Sequence, residues 1–583
     1  HRPSSLSPVT YWLEIAHLTR PAMFRIVVSL ALMAVLAGCG RASETVQPAG
    51  AHEPASQQDV RVPVTVRQTA LAEPAQPCTG TFVVHTLDHI TALPGATVRM
   101  FEANGTGVAI NDLDDDGDLD VVLANHQGTN TILWNQGGLR FRKQSMPNGD
   151  SRAVNVVDVD GDNRLDIVLT RRRGALNYWR NTGEKTDDRR FVLEFLPNIY
   201  QPAYALNWAD LDGDGDLDLV TGSYDAGLLA ERGSSFLMSG GAGVYYNEHR
   251  QDRFVPAQLA KDAQALAIAL FDVNGDGQRD ILVGNDFELY DQTWVRKGNS
   301  WVEARPFART SHSTMSFDVG DIDNNGRFEL FSTDMKPYNK DVKTLAVWAP
   351  MMAKLWGPPK QGDPQIIENV LQMRDAQGRF RNQAYERRVD ATGWSWSGKF
   401  GDLDNDGFLD LYVVNGMAEA EIFNYLSNHE LVEENQALRN DGTGYFVPAP
   451  EWRLGSTLGG RGMSMADLDG DGDLDIVVNN LRGPAQLFEN RLCGGHGLEI
   501  DLRWPRSKNT RALGVTLVLH TSAGTYYRDV RAASGYLSGD PARVHFGVPR
   551  NVTMSRLEIR WPDGAISTLD QLIPHALLTI TRG

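Results

Sequence analysis

The sequence predicts an all-β chain, a seven-bladed β-propeller followed by a small β-rich domain. Three observations predict it. An acidic nine-residue loop, Asp-x-Asp/Asn-x-Asp/Asn-Gly-x-x-Asp/Glu, recurs seven times, beginning at Asp112, Asp158, Asp210, Asp272, Asp321, Asp402 and Asp467. Short apolar segments of strand character enter and leave the loops, as in Val108-Ala109-Ile110 and Val121-Val122-Leu123. The loops stand roughly 50–65 residues apart, with one interval near 80, which suits one four-stranded blade each. One small sheet cannot bury both its faces, whereas seven around an axis hide them and leave only short edges.

The N-terminal stretch reads as an export signal. Met23-Phe24-Arg25 gives a basic start, Ile26 to Leu36 is apolar, and Leu36-Ala37-Gly38-Cys39 has the form of a bacterial lipobox. The run is too short for a retained spanning helix. Residues 1–38 are therefore expected to be an upstream segment plus a lipoprotein signal, with Cys39 acylated and attached to a bilayer. Gly40, where aspartate would mark inner-membrane retention, points to the outer membrane of a bacterial cell envelope. A chance Leu-Ala-Gly-Cys is the alternative. Residues 39–77, rich in Ala, Pro and Gln, are expected to be a flexible tether. Pairing of Val60 to Val66 as an extra strand is the alternative there.

The propeller is expected over 78–493. Alternate residues of each loop, turned inward, gather hard oxygen ligands at positions 1, 3, 5 and 9. These are Asp112, Asp114, Asp116 and Asp120; Asp158, Asp160, Asp162 and Asp166; Asp210, Asp212, Asp214 and Asp218; and Asp272, Asn274, Asp276 and Asp280. Then come Asp321, Asp323, Asn325 and Glu329; Asp402, Asp404, Asp406 and Asp410; and Asp467, Asp469, Asp471 and Asp475. So many close carboxylates repel one another without a cation, and the hard-oxygen set predicts calcium, up to seven ions. Asn163 replaces the position 6 glycine in the second loop, and Asn274 and Asn325 replace carboxylates, so loops two, four and five are expected to bind more weakly. An EF-hand is excluded, because its twelfth residue should be Glu and here is Leu123 or Thr221.

The long interval carries an insertion expected over 335–382, with a helix opening at Pro350 and stopping before Pro358-Pro359. Cys78 precedes the first strand, and Cys493 follows the last blade. A closed ring brings these ends together, which predicts a disulfide; two unpaired cysteines are the alternative. Residues 494–583 then read as several short strands, with Tyr536 as a packed aromatic and His545 as a surface histidine.

The loops resemble the FG-GAP or VCBS calcium repeats of integrin-like propellers. The tail resembles the ASPIC/UnbV domain of cartilage-acidic-protein-like proteins, through Arg511-Ala512-Leu513-Gly514, Arg531-Ala532-Ala533-Ser534-Gly535-Tyr536-Leu537-Ser538, His545-Phe546-Gly547-Val548 and Trp561-Pro562-Asp563-Gly564. The resemblance implies the fold and ion binding, with no established reaction.

The net charge of -18 excludes a nucleic-acid backbone as an obvious partner. No Gly-x-Ser-x-Gly, His-Glu-x-x-His or Cys-x-x-Cys occurs, and His85, His89, His126 and His312 share no metal-ligand spacing. The expectation is a calcium-binding extracytoplasmic lipoprotein that binds or scaffolds a protein or glycan. The alternative is a secreted calcium-dependent hydrolase or lyase.

Overall fold

The computed structural model describes residues 60–583, apart from 148, 173, 234–235, 237–241 and 356–361. The expected signal segment and Cys39 lie outside the described residues. The fold is all-β and propeller-like. Seven antiparallel sheets follow one another, each with an inner strand, an acidic loop and a second strand. The inner strands are Val108–Asn111, Ser151–Val157, Ala205–Ala209, Ala265–Phe271, Ser316–Gly320, Gly393–Gly401 and Gly460–Ala466, and each touches the next around a closed cycle. They are buried almost throughout, which explains their runs of small and apolar residues without alternation. Outer strands such as Phe141–Met146 turn much of their length to solvent.

Closure comes from the strand that precedes the first sheet. Strand Thr81–Ile90 pairs antiparallel with Pro484–Arg491 and completes the seventh sheet, Thr81 facing Arg491 and Phe82 facing Asn490. The Cys78–Cys493 disulfide, with Cα atoms 5.8 Å apart, locks the same seam. This bridge was expected from the position of the two cysteines.

Several expectations are corrected. The segment 39–77 is not tether throughout, because Val64–Ala70 is a strand paired in register with Ala576–Arg582 at the edge of a tail sheet. Its alternation of Val64 and Val66 with polar residues gives the one-sided apolar face that such an edge needs. The insertion is narrower than 335–382, since Val370–Arg374 and Phe380–Asn382 are the outer strands of the fifth sheet. Its helix spans Val342–Leu355 with Pro350 inside rather than at the start. Proline forfeits one backbone hydrogen bond there. Burial of Trp348 and Met351, and a bond from Trp348 Nε1 to Glu433 (3.2 Å), offset that loss.

The largest difference concerns the tail. Its two sheets, one of them containing Val64–Ala70, form a β unit as expected. However, the hairpin Ala533–Ser534 and Ser538–Gly539 leaves that unit and enters the centre of the ring. Ser538–Gly539 adds to the first sheet through Ala109 and Gly539. Asn207 Nδ2 donates to Ala533 O (3.3 Å), the Gly535 amide to Phe317 O (2.7 Å), the Val154 amide to Leu537 O (3.1 Å) and Ser464 Oγ to Gly539 O (2.9 Å). Tyr536 at the tip is fully buried, its hydroxyl 3.0 Å from that of Tyr204 and its ring 5.1 Å from that of Trp396. The axis is thus filled by the tail. Inward-facing backbone groups of the inner strands, which lack a further strand to pair with, find their partners in this hairpin.

Candidate metal centres

The seven loops repeat one hydrogen-bond plan. At position 9 a buried carboxylate accepts the amide of position 2: Leu113 to Asp120 (3.1 Å), Val159 to Asp166 (3.0 Å), Leu211 to Asp218 (3.0 Å) and Val273 to Asp280 (3.0 Å). Ile322 to Glu329 (3.1 Å), Leu403 to Asp410 (3.0 Å) and Leu468 to Asp475 (3.0 Å) complete the set. At position 1 a carboxylate accepts the amide of position 6, as Gly117 to Asp112 (3.0 Å) and Gly472 to Asp467 (2.8 Å). Asn163 does the same to Asp158 (2.8 Å) at φ 72°, so the one non-glycine loop reaches the left-handed turn that the pattern requires. At position 5 a side-chain oxygen accepts the amide of position 7, for example Asp118 to Asp116 (3.0 Å).

These bonds hold carboxylates together. Three ligand oxygens lie within 4.8 Å of one another in several loops, among them Asp112, Asp114 and Asp120; Asp158, Asp160 and Asp166; Asp210, Asp212 and Asp218; Asp321, Asp323 and Glu329; and Asp402, Asp404 and Asp406. In the first, second, third and fifth loops these groups take positions 1, 3 and 9; in the sixth, position 5 takes the place of position 9. In the fourth loop Asn274 stands at position 3 and its amide donates to Asp276 (3.0 Å).

Two observations test whether a cation fits. Position 3 carries an orphaned oxygen, since Asp114 Oδ1, Asp323 Oδ1, Asp404 Oδ1 and Asp469 Oδ1 are buried without a hydrogen-bond partner. Such atoms are costly unless something outside the chain satisfies them. Burial, reinforced by neighbouring carboxylates, also pushes the Asp112 carboxyl up to about 7, and burial is the main cause that raises Asp120 to about 8. Asp166 and Asp218 rise to about 8 and Glu329 to about 9 for the same first reason. A divalent charge reverses that balance and favours the carboxylates. The all-oxygen donor set suits a hard cation.

Around the centres lie residues whose role the sequence did not reveal. In six sheets an amide of the third strand donates to the other oxygen of position 9, as Asn135 to Asp120 (2.9 Å) and Asn490 to Asp475 (2.8 Å). The same asparagines reach the preceding sheet. Asn135 Nδ2 donates to Leu468 O (2.7 Å), Asn181 to Leu113 O (2.9 Å), Asn440 to Ile322 O (2.7 Å) and Asn490 to Leu403 O (2.7 Å). Arg374 does likewise to Val273 O (3.0 Å). The acidic loops are therefore stitched from sheet to sheet. The recurring Asn after an aromatic was the available signal.

The tail grips the same loops at their position 6 carbonyls. Arg543 donates to Gly117 O (3.0 Å), Arg511 to Asn163 O (3.4 Å) and Ser507 Oγ to Gly215 O (2.7 Å), and His545 Nε2 lies 3.1 Å from Gly472 O. His545 is thus buried at an internal seam, correcting its expected place on the surface. Thr510 also donates to Asp158 Oδ2. Arg531 pairs with Asp318 (2.7 Å) and Asp540 (2.9 Å) where the hairpin enters the axis.

Of the scattered histidines, His85 meets Glu489 (2.6 Å) and His89 meets Thr131 Oγ1 (2.9 Å), while His312 Nδ1 lies 3.2 Å from Ser313 Oγ. His126 differs, because both its ring nitrogens are buried without a partner.

Comparison with known proteins fits this geometry. Residues 505–583 match the ASPIC and UnbV family, and 112–169, 158–221, 272–332 and 425–478 match the FG-GAP-like repeat. Cartilage acidic protein 1 of Mus musculus is 25% identical over 509 residues, covering 79% of this chain and 70% of that protein. The Homo sapiens protein is 24% identical over 504 residues, covering 79% and 69%. The Xenopus tropicalis protein is 33% identical over 143 residues, a match that spans only 21% of either chain.

Proposed function

We propose that this chain, which carries FG-GAP-like repeats and an ASPIC/UnbV domain and is homologous to cartilage acidic protein 1, is a calcium-stabilised extracytoplasmic module that binds or scaffolds a protein or glycan. The seven sheets are read as the blades of one propeller, and up to seven loops as calcium sites. The observation that carries the calcium reading is the buried, orphaned oxygen at position 3 in four loops. Asp112, Asp114 and Asp120, and their equivalents, would hold the ion, which would supply the positive charge that lets buried carboxylates ionise. The disulfide supports an oxidising compartment, and acylation at Cys39 would provide the anchor.

A binding role is favoured over a hydrolase or lyase by the filled axis and by the tail that covers the loops. A reactive ion needs an open coordination position facing a cleft. Here the Ala533–Gly539 hairpin occupies the axis, and Arg543, Arg511, Ser507 and His545 lie on the loop carbonyls. The test is a screen of immobilised glycans and envelope proteins with the calcium-loaded chain. Saturable binding without turnover of the captured partner supports the reading. Calcium-dependent cleavage of a captured glycan would overturn it in favour of the enzyme.

A further inference from the structure

The acidic loop between the first two strands of the first sheet lies at one end of Asp120–Leu123, and the turn holding His126 lies at the other. On this opposite face a cavity of about 360 Å³ opens between the 126–128 turn, Gly149-Asp150, Arg172 and Pro94. Its walls are pinned. Asn125 Oδ1 accepts the amides of Ala92 (3.0 Å) and Gln127 (3.2 Å), and the Ser151 amide donates to Asn125 O (3.0 Å). The Arg172 amide donates to Asp150 O (2.8 Å), and the Arg172 guanidinium pairs with the Asp150 carboxylate at 2.9 Å.

His126 lines this space, is only 2% exposed, and has neither ring nitrogen satisfied. The guanidiniums of Arg152 and Arg172 act on it, and Arg152 is itself buried with Nε and Nη1 unpartnered. Arg172 is balanced by Asp150, so the buried Arg152 leaves a net positive charge behind a histidine that lacks a partner. Unsatisfied donors beside a positive charge in a cavity of ligand size call for an anion.

We propose that this cavity binds a monosaccharide-sized carboxylate, a uronate, with its carboxylate at His126 and its hydroxyls toward Gln127 and Asp150. The volume exceeds what an inorganic ion fills, and the lining residues Gln127 and Asp150 offer partners to hydroxyls. The proposal deepens the binding-module reading by naming a ligand class, and it does not depend on calcium.

The experiment is calorimetric titration of the intact protein with glucuronate, galacturonate, glucose and inorganic phosphate, in calcium and after chelation. A uronate is expected to bind at least about tenfold more tightly than glucose or phosphate, since a charged hydrogen bond distinguishes it. His126→Ala should weaken binding by about tenfold or more. Gln127→Glu alters only an exposed residue at the mouth and should weaken it through charge, with an unchanged melting curve. Failure of both uronates to bind, equal binding of glucose or phosphate, or insensitivity to both substitutions overturns the proposal. Uronate binding that survives chelation is the expected result and leaves this site standing whatever calcium analysis shows for the acidic loops.

Discussion

Asp475 offers a test in which geometry sets the sign as well as the size. Its carboxylate accepts the amides of Leu468 (3.0 Å) and Asn490 (2.8 Å), and it is 2% exposed. Asp475→Ala leaves two buried donors unpaired, at about 1–3 kcal/mol each, so a loss of about 2–6 kcal/mol is expected with or without calcium. Asp475→Asn is different. Burial, followed by Asp469, raises the Asp475 carboxyl well above its ordinary value, so without a cation the charged form is disfavoured there. Asparagine carries no charge and keeps only one acceptor oxygen, so one of the two amides loses its partner, at about 1–3 kcal/mol in cation-free buffer. In calcium it also removes a charged ligand and should lower the melting temperature by several degrees more. The assay is thermal unfolding of the native chain and both variants, each in calcium and after removal of divalent ions. An equal effect of Asp475→Asn in both buffers would refute the reasoning.

Two further outcomes follow from the same geometry. The carboxyls of Asp112, Asp120 and Asp166 are raised to about 7, 8 and 8 in the fold, against about 4 in an unfolded chain, so the cation-free fold binds more protons than the unfolded state. The stability they contribute is fully present below pH about 4 and is lost as pH rises through about 7–8; melting of the cation-free protein across that window should show a falling midpoint, and a rising one would contradict the shifts. Tyr536→Ala should cost about 3–5 kcal/mol, the range for emptying a buried aromatic site, and should hasten proteolysis of the 531–540 hairpin, whereas unaltered melting and proteolysis would show that the hairpin does not hold the axis.

Much of this was legible because the loops are local. Carboxylates at positions 1, 3 and 9 of a nine-residue turn converge through bonds within that turn, so spacing alone located Asp112, Asp114 and Asp120. The cysteines were legible for a topological reason, since a ring must bring its ends together. The hairpin was not. Ala533-Ser534-Gly535-Tyr536 reads as part of the tail domain with Tyr536 as a packed aromatic, and its small residues make sense only against partners far away in sequence. A Cβ on Gly535 would lie 2.6 Å from Ser397 Oγ, a contact invisible in one dimension. The stitching by Asn135, Asn181, Asn440 and Asn490 was half visible: the asparagines recurred, but their acceptors sit on the neighbouring sheet. Val64–Ala70 was misplaced for a related reason, as its partner strand ends at Arg582.

The central claim is that the acidic loops hold calcium and that the fold depends on it. The direct measurement is calcium content by elemental analysis after dialysis to equilibrium, with thermal unfolding of the same samples before and after chelation. The account predicts several calcium ions per chain, reduced by one in Asp475→Asn, and a marked fall in melting temperature when they are removed. Protein that retains no calcium at equilibrium, with a melting temperature indifferent to chelation, would contradict it.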